Sequence, residues 1–285
     1  MQLAVSPFLM TEPPWGNLQL QPDKDCILVI DDRQLHLNEI KNPIVGKVAY
    51  VMGANQKAFD RLCSLIDVEQ LDFYEMRVPD LSSIKRVKNL KHLAVRWNTK
   101  LENITAISDL PLHSLALEDT PKVNDLAPIQ TLAQLEHFTC SGGHGRSNSI
   151  STLEPIAQAQ ALKFLTLTNV RVLNDGLLPL ARCSKIESLE VSNQFPTEEF
   201  AYLSVHLPAV SCPMFSAYVT IEPNTFDPTD VMIVGSRKPF LCSTRDKEKI
   251  VAYEKAFVAL QAKFSANPAV QRTCARSRAA RSTPR

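Results

Sequence analysis

Three histidines, His92, His113 and His137, come closest to metal chemistry by type and spacing in this 285-residue chain. A zinc site needs imidazole nitrogens about 2 Å from one ion. On neighbouring extended strands, His92 and His137 stand two rungs, roughly 10 Å, apart, and His113 is one slot out of line. Exposed histidines on a polar face are the simpler reading. Gly142-Gly143-His144-Gly145-Arg146-Ser147 has the glycine content of a phosphate cradle. It lacks the Lys-Ser/Thr ending and the strand-to-long-helix setting that make such loops work, and reads as a flexible surface loop. The carboxylate pairs Asp31-Asp32 and Glu198-Glu199 are adjacent and diverge in an extended chain. No serine sits in a nucleophile elbow, and no HExxH or kinase set is present. The expectation is no enzyme, no cofactor and no metal.

The elements that would position any site announce themselves by repetition. An apolar residue, two variable ones, an apolar residue, one variable one and another apolar residue recur eight times. The copies are Val45-Val48-Tyr50, Val68-Leu71-Phe73, Leu90-Leu93-Val95, Leu112-Leu115-Leu117, Leu135-Phe138-Cys140, Leu162-Leu165-Leu167, Ile186-Leu189-Val191 and Leu207-Val210-Cys212. Their starts lie 23, 22, 22, 23, 27, 24 and 21 residues apart. A fixed period of this length marks a solenoid, in which each repeat buries its apolar face against a neighbour. About fourteen positions into each repeat a second apolar pair falls three apart, from Phe59-Leu62 through Leu126-Ile129 to Phe200-Leu203. Period two in the first segment predicts a strand, and a spacing of three in the second predicts a helical or 3₁₀ return. Pro128, Pro155 and Pro179 share one slot in that return, where a missing backbone donor is tolerable.

Residues between inward ones in a strand point outward, so the exposed face can be written down. The slot between the last two inward residues holds Ala49, Asp72, Ala94, Ala116, Thr139, Thr166, Glu190 and Ser211, mostly small, which leaves room for a partner to approach. Just beyond it come Tyr74-Glu75, Arg96-Trp97 and Glu118-Asp119 on adjacent rungs. Tyr, Trp and Arg are enriched at interface hot spots, so these six residues are the expected protein-binding patch. The alternative is a solvated sheet whose charges pair along the ladder.

Residues 1–42 form an extension in which Cys26–Ile30 and Leu35–Leu37 read as a capping β-hairpin. The stack occupies 43–213, and the 27-residue repeat should bulge at 141–149. Residues 214–266 read as a C-terminal cap, with strands at Tyr218–Ile221 and Val231–Val234 and a helix over roughly 246–264. The arginine-rich tail 267–285 reads as disordered; it lacks aromatic residues for base stacking, so nucleic acid is not an expected partner except through this tail. Net charge is +1, without bias toward nucleic acid or membrane. Seven cysteines show no CxxC, and Cys140 and Cys212 stand in inward slots as small hydrophobes. No apolar stretch spans a bilayer, and no secretory signal is apparent before Asp23. The expected location is the cytoplasm.

The phrase LxxLxL, a variable stretch, then LxxI or LxPI resembles the leucine-rich repeat. Its 22-residue form is similar to that of bacterial internalin-type proteins and intracellular phosphatase-regulating repeat proteins. Val123-Asn124-Asp125-Leu126-Ala127-Pro128-Ile129, with Leu132 and Leu135, is the closest single match. The resemblance covers about 170 residues and implies an α/β fold: a right-handed solenoid with a concave parallel β-sheet, commonly used to bind other proteins. The family places Asn three residues after the last strand hydrophobe. Here that slot holds Gly53, Met76, Asn98, Thr120, Gly143, Val170, Gln194 and Phe215, and only Asn98 fits. The functional expectation is a non-catalytic protein that binds another protein on its concave face. The alternative is a regulatory or inhibitory subunit of an enzyme, such as a phosphatase regulator or a toxin-neutralising partner.

Overall fold

The computed structural model describes residues 26–31, 44–223 and 228–266. One parallel sheet of eight strands runs through the stack. Its members are β1 (Cys26–Asp31), β2 (Ile44–Met52), β3 (Ile66–Tyr74), β4 (His92–Arg96), β5 (Ser114–Glu118), β6 (His137–Ser141), β8 (Phe164–Thr168) and β10 (Ser188–Val191), in that order. Two short strands, β7 (Asn148–Ile150) and β9 (Val170–Val172), pair separately in parallel. From β3 onward the inward residues stack as the repeat demands, with Leu71, Leu93, Leu115, Phe138, Leu165 and Leu189 in one register column. All six are buried.

The returns are short helices, α1 (Gln56–Cys63), α2 (Glu154–Ala157) and α3 (Thr197–His206), or 3₁₀ turns, at Ser82–Arg86, Thr105–Ile107, Ala127–Thr131 and Leu178–Arg182. Every residue of the seven expected return pairs is at most 2% exposed. Pro128, Pro155 and Pro179 each open a return at its first or second position, where the first N–H groups have no intrahelical acceptor anyway.

The structure corrects four expectations. In β2 the inward residues are Ala49 and Val51, both 0% exposed, while Val45 is 71% exposed. Register confirms it, since Gly46 pairs with Val68, Ala49 with Leu71 and Val51 with Phe73. The phrase there is Gly46-Ala49-Val51, 22 residues before its successor, and small residues suffice because Phe59 and Phe73 meet at 5.3 Å under this rung. A one-residue slip turns every side chain to the other face, so Tyr50, not Ala49, joins the concave side. Second, the parallel sheet starts ahead of residue 43, since β1 pairs in parallel with β2 as a further rung; the partner Leu35–Leu37 of the expected hairpin lies outside the described residues, as do the extension before Cys26 and the basic tail.

Third, the eighth copy makes only a single bridge, Ser188 with Ser211, and Cys212 is half-buried rather than fully inward. Fourth, a second asparagine fills the family's slot. The insertion after β6 carries Asn148 into register with Val170, where it is 0% exposed and its Nδ2 donates to Ser141 O at 2.8 Å. Asn98 does the same work one way further: Nδ2 donates to Val78 O at 2.8 Å, and Oδ1 accepts from Lys100 N at 3.2 Å and Val78 N at 3.4 Å.

Beyond the stack, β11 (Tyr218–Thr220), β12 (Val231–Ile233) and β13 (Phe240–Leu241) form an antiparallel sheet. The helix α4 (Lys247–Ala266) then lies against α3. Phe257 and Phe264 are buried in the main core, and Phe264 meets Tyr202 edge-on at 5.4 Å. α4 thus buries apolar side chains against the return that follows β10. Among the described residues no helix is long and apolar enough to cross a membrane.

Val78 is fully buried, so its peptide groups depend on Asn98. Asn98→Ala is expected to lower stability by about 1–3 kcal/mol, read as a shift in the urea unfolding midpoint at unchanged slope. A change under about 0.5 kcal/mol would show that the turn closes without that side chain.

Candidate interaction site

The last residue of each central strand is Tyr74, Arg96 or Glu118, paired in register across β3, β4 and β5. The next residues, Glu75, Trp97 and Asp119, extend the ladder: Glu75 N–H donates to Arg96 O at 3.0 Å, Trp97 N–H to Glu118 O at 2.8 Å and Asp119 N–H to Ser141 O at 2.8 Å. All six residues of the expected patch are therefore brought together. Glu75 (φ 55°), Trp97 (φ 55°) and Asp119 (φ 45°) are left-handed, as are Gly53 and Asn169 at the matching points of other coils. The coil turns by one left-handed residue after the strand, a conformation suited to Gly and Asn. Trp97 is the costly occupant: a bulky residue at positive φ is an outlier. It is also 50% exposed and packs on Tyr74 with ring centroids 4.9 Å apart.

Arg96 behaves differently from the sequence expectation. Its Nε lies 3.2 Å from Asp72 Oδ1 and its Nη1 donates to Glu118 Oε2 at 3.0 Å, leaving its side chain 12% exposed. The charges pair along the ladder, as the solvated-sheet alternative held, but the pairing is dry. Burial pushes the Asp72 carboxyl up to about 6, with Arg96 opposing and Glu118 reinforcing. Burial likewise raises Glu118 against Arg96's pull. Removing one partner from such a set strands a buried charge, so Arg96 holds the face together.

Below this triad the small column forms a floor. Ala94 and Ala116 lie in register with Asp72 and Thr139, at the bottom of an open basin. His92, Ser114 and His137 stand along one wall. The sequence placed His92 and His137 two rungs apart, and the register puts Ser114 between them; it did not single out Asp72 or Ser114, which carry no local motif. Ser114 Oγ lies 2.9 Å from His92 Nδ1, a nucleophile–base contact in outline. Burial, with help from His113 and Lys91, holds the His92 imidazole down at about 4, too weak a base near neutrality. His137 is lowered by burial and stacks on Phe164 at 4.4 Å. His92 and His113 have ring centroids 6.1 Å apart, and among the described residues no three ligating side chains converge on a metal position.

The inserted loop is anchored at the same rim. The Asn169 amide donates to Gly143 O at 2.8 Å and to Arg146 O at 3.1 Å, and Ser147 Oγ donates back to Asn169 Oδ1 at 2.8 Å. A Cβ on Gly142 would sit 2.4 Å from Asn169 O, so only glycine fits there. Arg146 lies 3.5 Å from Asp119, with 54% of its side chain exposed. The segment follows β6, two rungs beyond Trp97.

Asp72 sets a pH dependence. Its folded value is raised, so its contribution to stability is full below the unfolded value near 3.8 and is lost as pH rises through about 6. Its side-chain carbon resonance should titrate with a midpoint near 6, and Arg96→Met should move that midpoint higher. A midpoint below 4 would contradict the dry pairing.

No family model and no curated protein matches the chain. Solved structures similar to it include internalin C2 of Listeria monocytogenes, 22% identical over 56% of this chain and 65% of that one, with a TM-score of 0.43. A second internalin of that organism is 17% identical over 62% and 61%, at 0.40. A leucine-rich-repeat protein of Leptospira interrogans is 17% identical over 58% and 54%, at 0.38. The chain thus spans less than two thirds of each of these proteins. By its own repeat length, one parallel strand per coil and a short helical return, the fold is a leucine-rich-repeat solenoid.

Proposed function

We propose that this solenoid is a non-catalytic, cytoplasmic protein-binding module that engages another protein on its concave sheet, with the Tyr74–Trp97 pair as anchor. The observation that carries the reading is Trp97. A half-exposed indole occupies a left-handed position that Gly or Asn would fill at lower cost, and strained backbone of this kind concentrates where binding or catalysis is served. Rigid, stacked, partly exposed aromatics are typical anchors. Glu75 and Asp119 flank the pair as rim charges, and Arg96 with Glu118 hold the sheet surface beneath it. The small floor of Ala94 and Ala116 lets a partner's side chains reach the sheet. Four thiols, Cys63, Cys140, Cys183 and Cys212, are raised to about 11 or 12 by burial, which supports packing roles in a reducing setting.

The test begins by capturing a partner from lysate with the wild-type chain and measuring its affinity. Trp97→Asn should weaken that affinity by about 30-fold or more, equivalent to ~2 kcal/mol. The same variant should keep or raise the melting temperature, since relief of the left-handed penalty is worth about 1–2 kcal/mol. Val258→Lys, on the exposed outer face of α4, should leave affinity unchanged. Arg96 variants are poor tests because they disturb the buried triad. Unchanged affinity in Trp97→Asn sinks the reading. Should the captured protein be an enzyme that loses activity when bound, the module is a regulatory or inhibitory subunit.

A further inference from the structure

The basin beside the aromatic pair has a charge imbalance. Arg96 is divided between two carboxylates, Asp72 and Glu118, so the triad carries one net negative charge at neutral pH. The histidines on the wall do not offset it, since burial keeps His92 and His137 neutral there. Asp72 is the better buried acid, its side chain only 4% exposed. Its Oδ1 is enclosed against Arg96 Nε at 3.2 Å without an aligned hydrogen bond, so an incoming cation meets the other carboxylate oxygen, Oδ2. An ionised carboxylate out of water with unused acceptor capacity favours an approaching cation. The upward shift of Asp72 to about 6 reflects the same deficit: one shared guanidinium does not make up for lost hydration.

Shape narrows the occupant. The floor of Ala94 and Ala116 is apolar and in register with Asp72, so a methylene stem can lie along it with its charged end at the carboxylate. An anion is disfavoured, because Arg96 is nearly buried and already committed to both acids. A second guanidinium would have to share the space with the plane of Arg96, whereas an ammonium is compact.

We propose that the basin receives a lysine side chain of the docked protein, its stem on Ala94 and Ala116 and its ammonium at Asp72. This rests on the concave face being the docking surface and adds what the partner must present: a lysine next to a group that packs on Tyr74 and Trp97. The pocket acts as a specificity determinant, since any partner with a carboxylate or a large apolar group there leaves Asp72 buried and unmatched.

The test uses the full chain with ¹³C-methyl alanine and three ligands sharing a four-carbon stem: n-butylammonium, 1-butanol and butyrate. The Ala94 and Ala116 methyl resonances report occupancy. Butylammonium should bind at least about tenfold more tightly than butanol, the worth of a charge-assisted hydrogen bond, with butyrate weakest. Asp72→Asn should reduce butylammonium to the level of butanol. Equal binding of ammonium and alcohol, stronger binding of butyrate, or no response at either methyl overturns the proposal. The wild-type ligand series decides the matter even if Asp72→Asn does not fold. The two readings fail separately. Partner loss in Trp97→Asn without ammonium preference sinks only the lysine pocket, and ammonium preference with partner affinity unchanged in Trp97→Asn sinks only the docking surface.

Discussion

The shared register of two buried columns governs this molecule. One column lies on the strands, from Leu71 to Leu189, and the other on the returns, from Phe59 to Leu203. A coil of this kind buries nothing by itself, and stability resides in neighbour contacts that repeat along the stack. Because the strands are parallel and the offset is close to constant, every outward residue is also fixed in register. Tyr74, Arg96 and Glu118 align as a consequence of where the leucines must go.

That alignment has an electrostatic cost and a use. Strand spacing brings side chains on neighbouring rungs within about 5 Å, close enough to exclude water from between them. Asp72, Arg96 and Glu118 therefore pair with little solvent, and both acids are pushed upward by burial. The same spacing keeps Ser114 against His92 while depriving that imidazole of basicity. In the ladder the backbone N–H groups of β4 and β5 are spent on their neighbours. A well-registered sheet surface of this type displays its outward side chains in fixed rows.

The period, both columns, the proline slot and the C-terminal strands and helix were legible in the sequence, because burial imposes a pattern that survives substitution among Leu, Ile, Val and Phe. The failures share a physical cause. Gly46-Ala49-Val51 is as inward as any other phrase, but the bulk in that rung comes from Phe59 on the return, so an apolar scan settled on Val45, Val48 and Tyr50. Asn148 was hidden because the insertion displaced it from its expected offset, though space restores the register with Val170. β13 is two residues long and carries no periodic signal. Among the patch residues, co-location followed from the repeat, whereas the exposure of Arg96 did not. Its fate depends on Asp72, one rung over and outside its own coil, which local spacing cannot weigh.

The inserted segment gives the stack an uneven stiffness. Between the earlier coils the strand ladder and the packing of the returns are supplemented by isolated bridges, Asn55 with Arg77 and Asp80 with Asn103. The coils of β6 and β8 are also joined by β7 against β9, and by the Asn169 amide gripping the loop at two carbonyls. Shear or splay between that pair must break two ladders at once, so bending strain is shunted to the more lightly joined coils on either side. The rungs bearing Tyr74 and Trp97 lie to one side of this girder, where isolated bridges take the place of its second ladder.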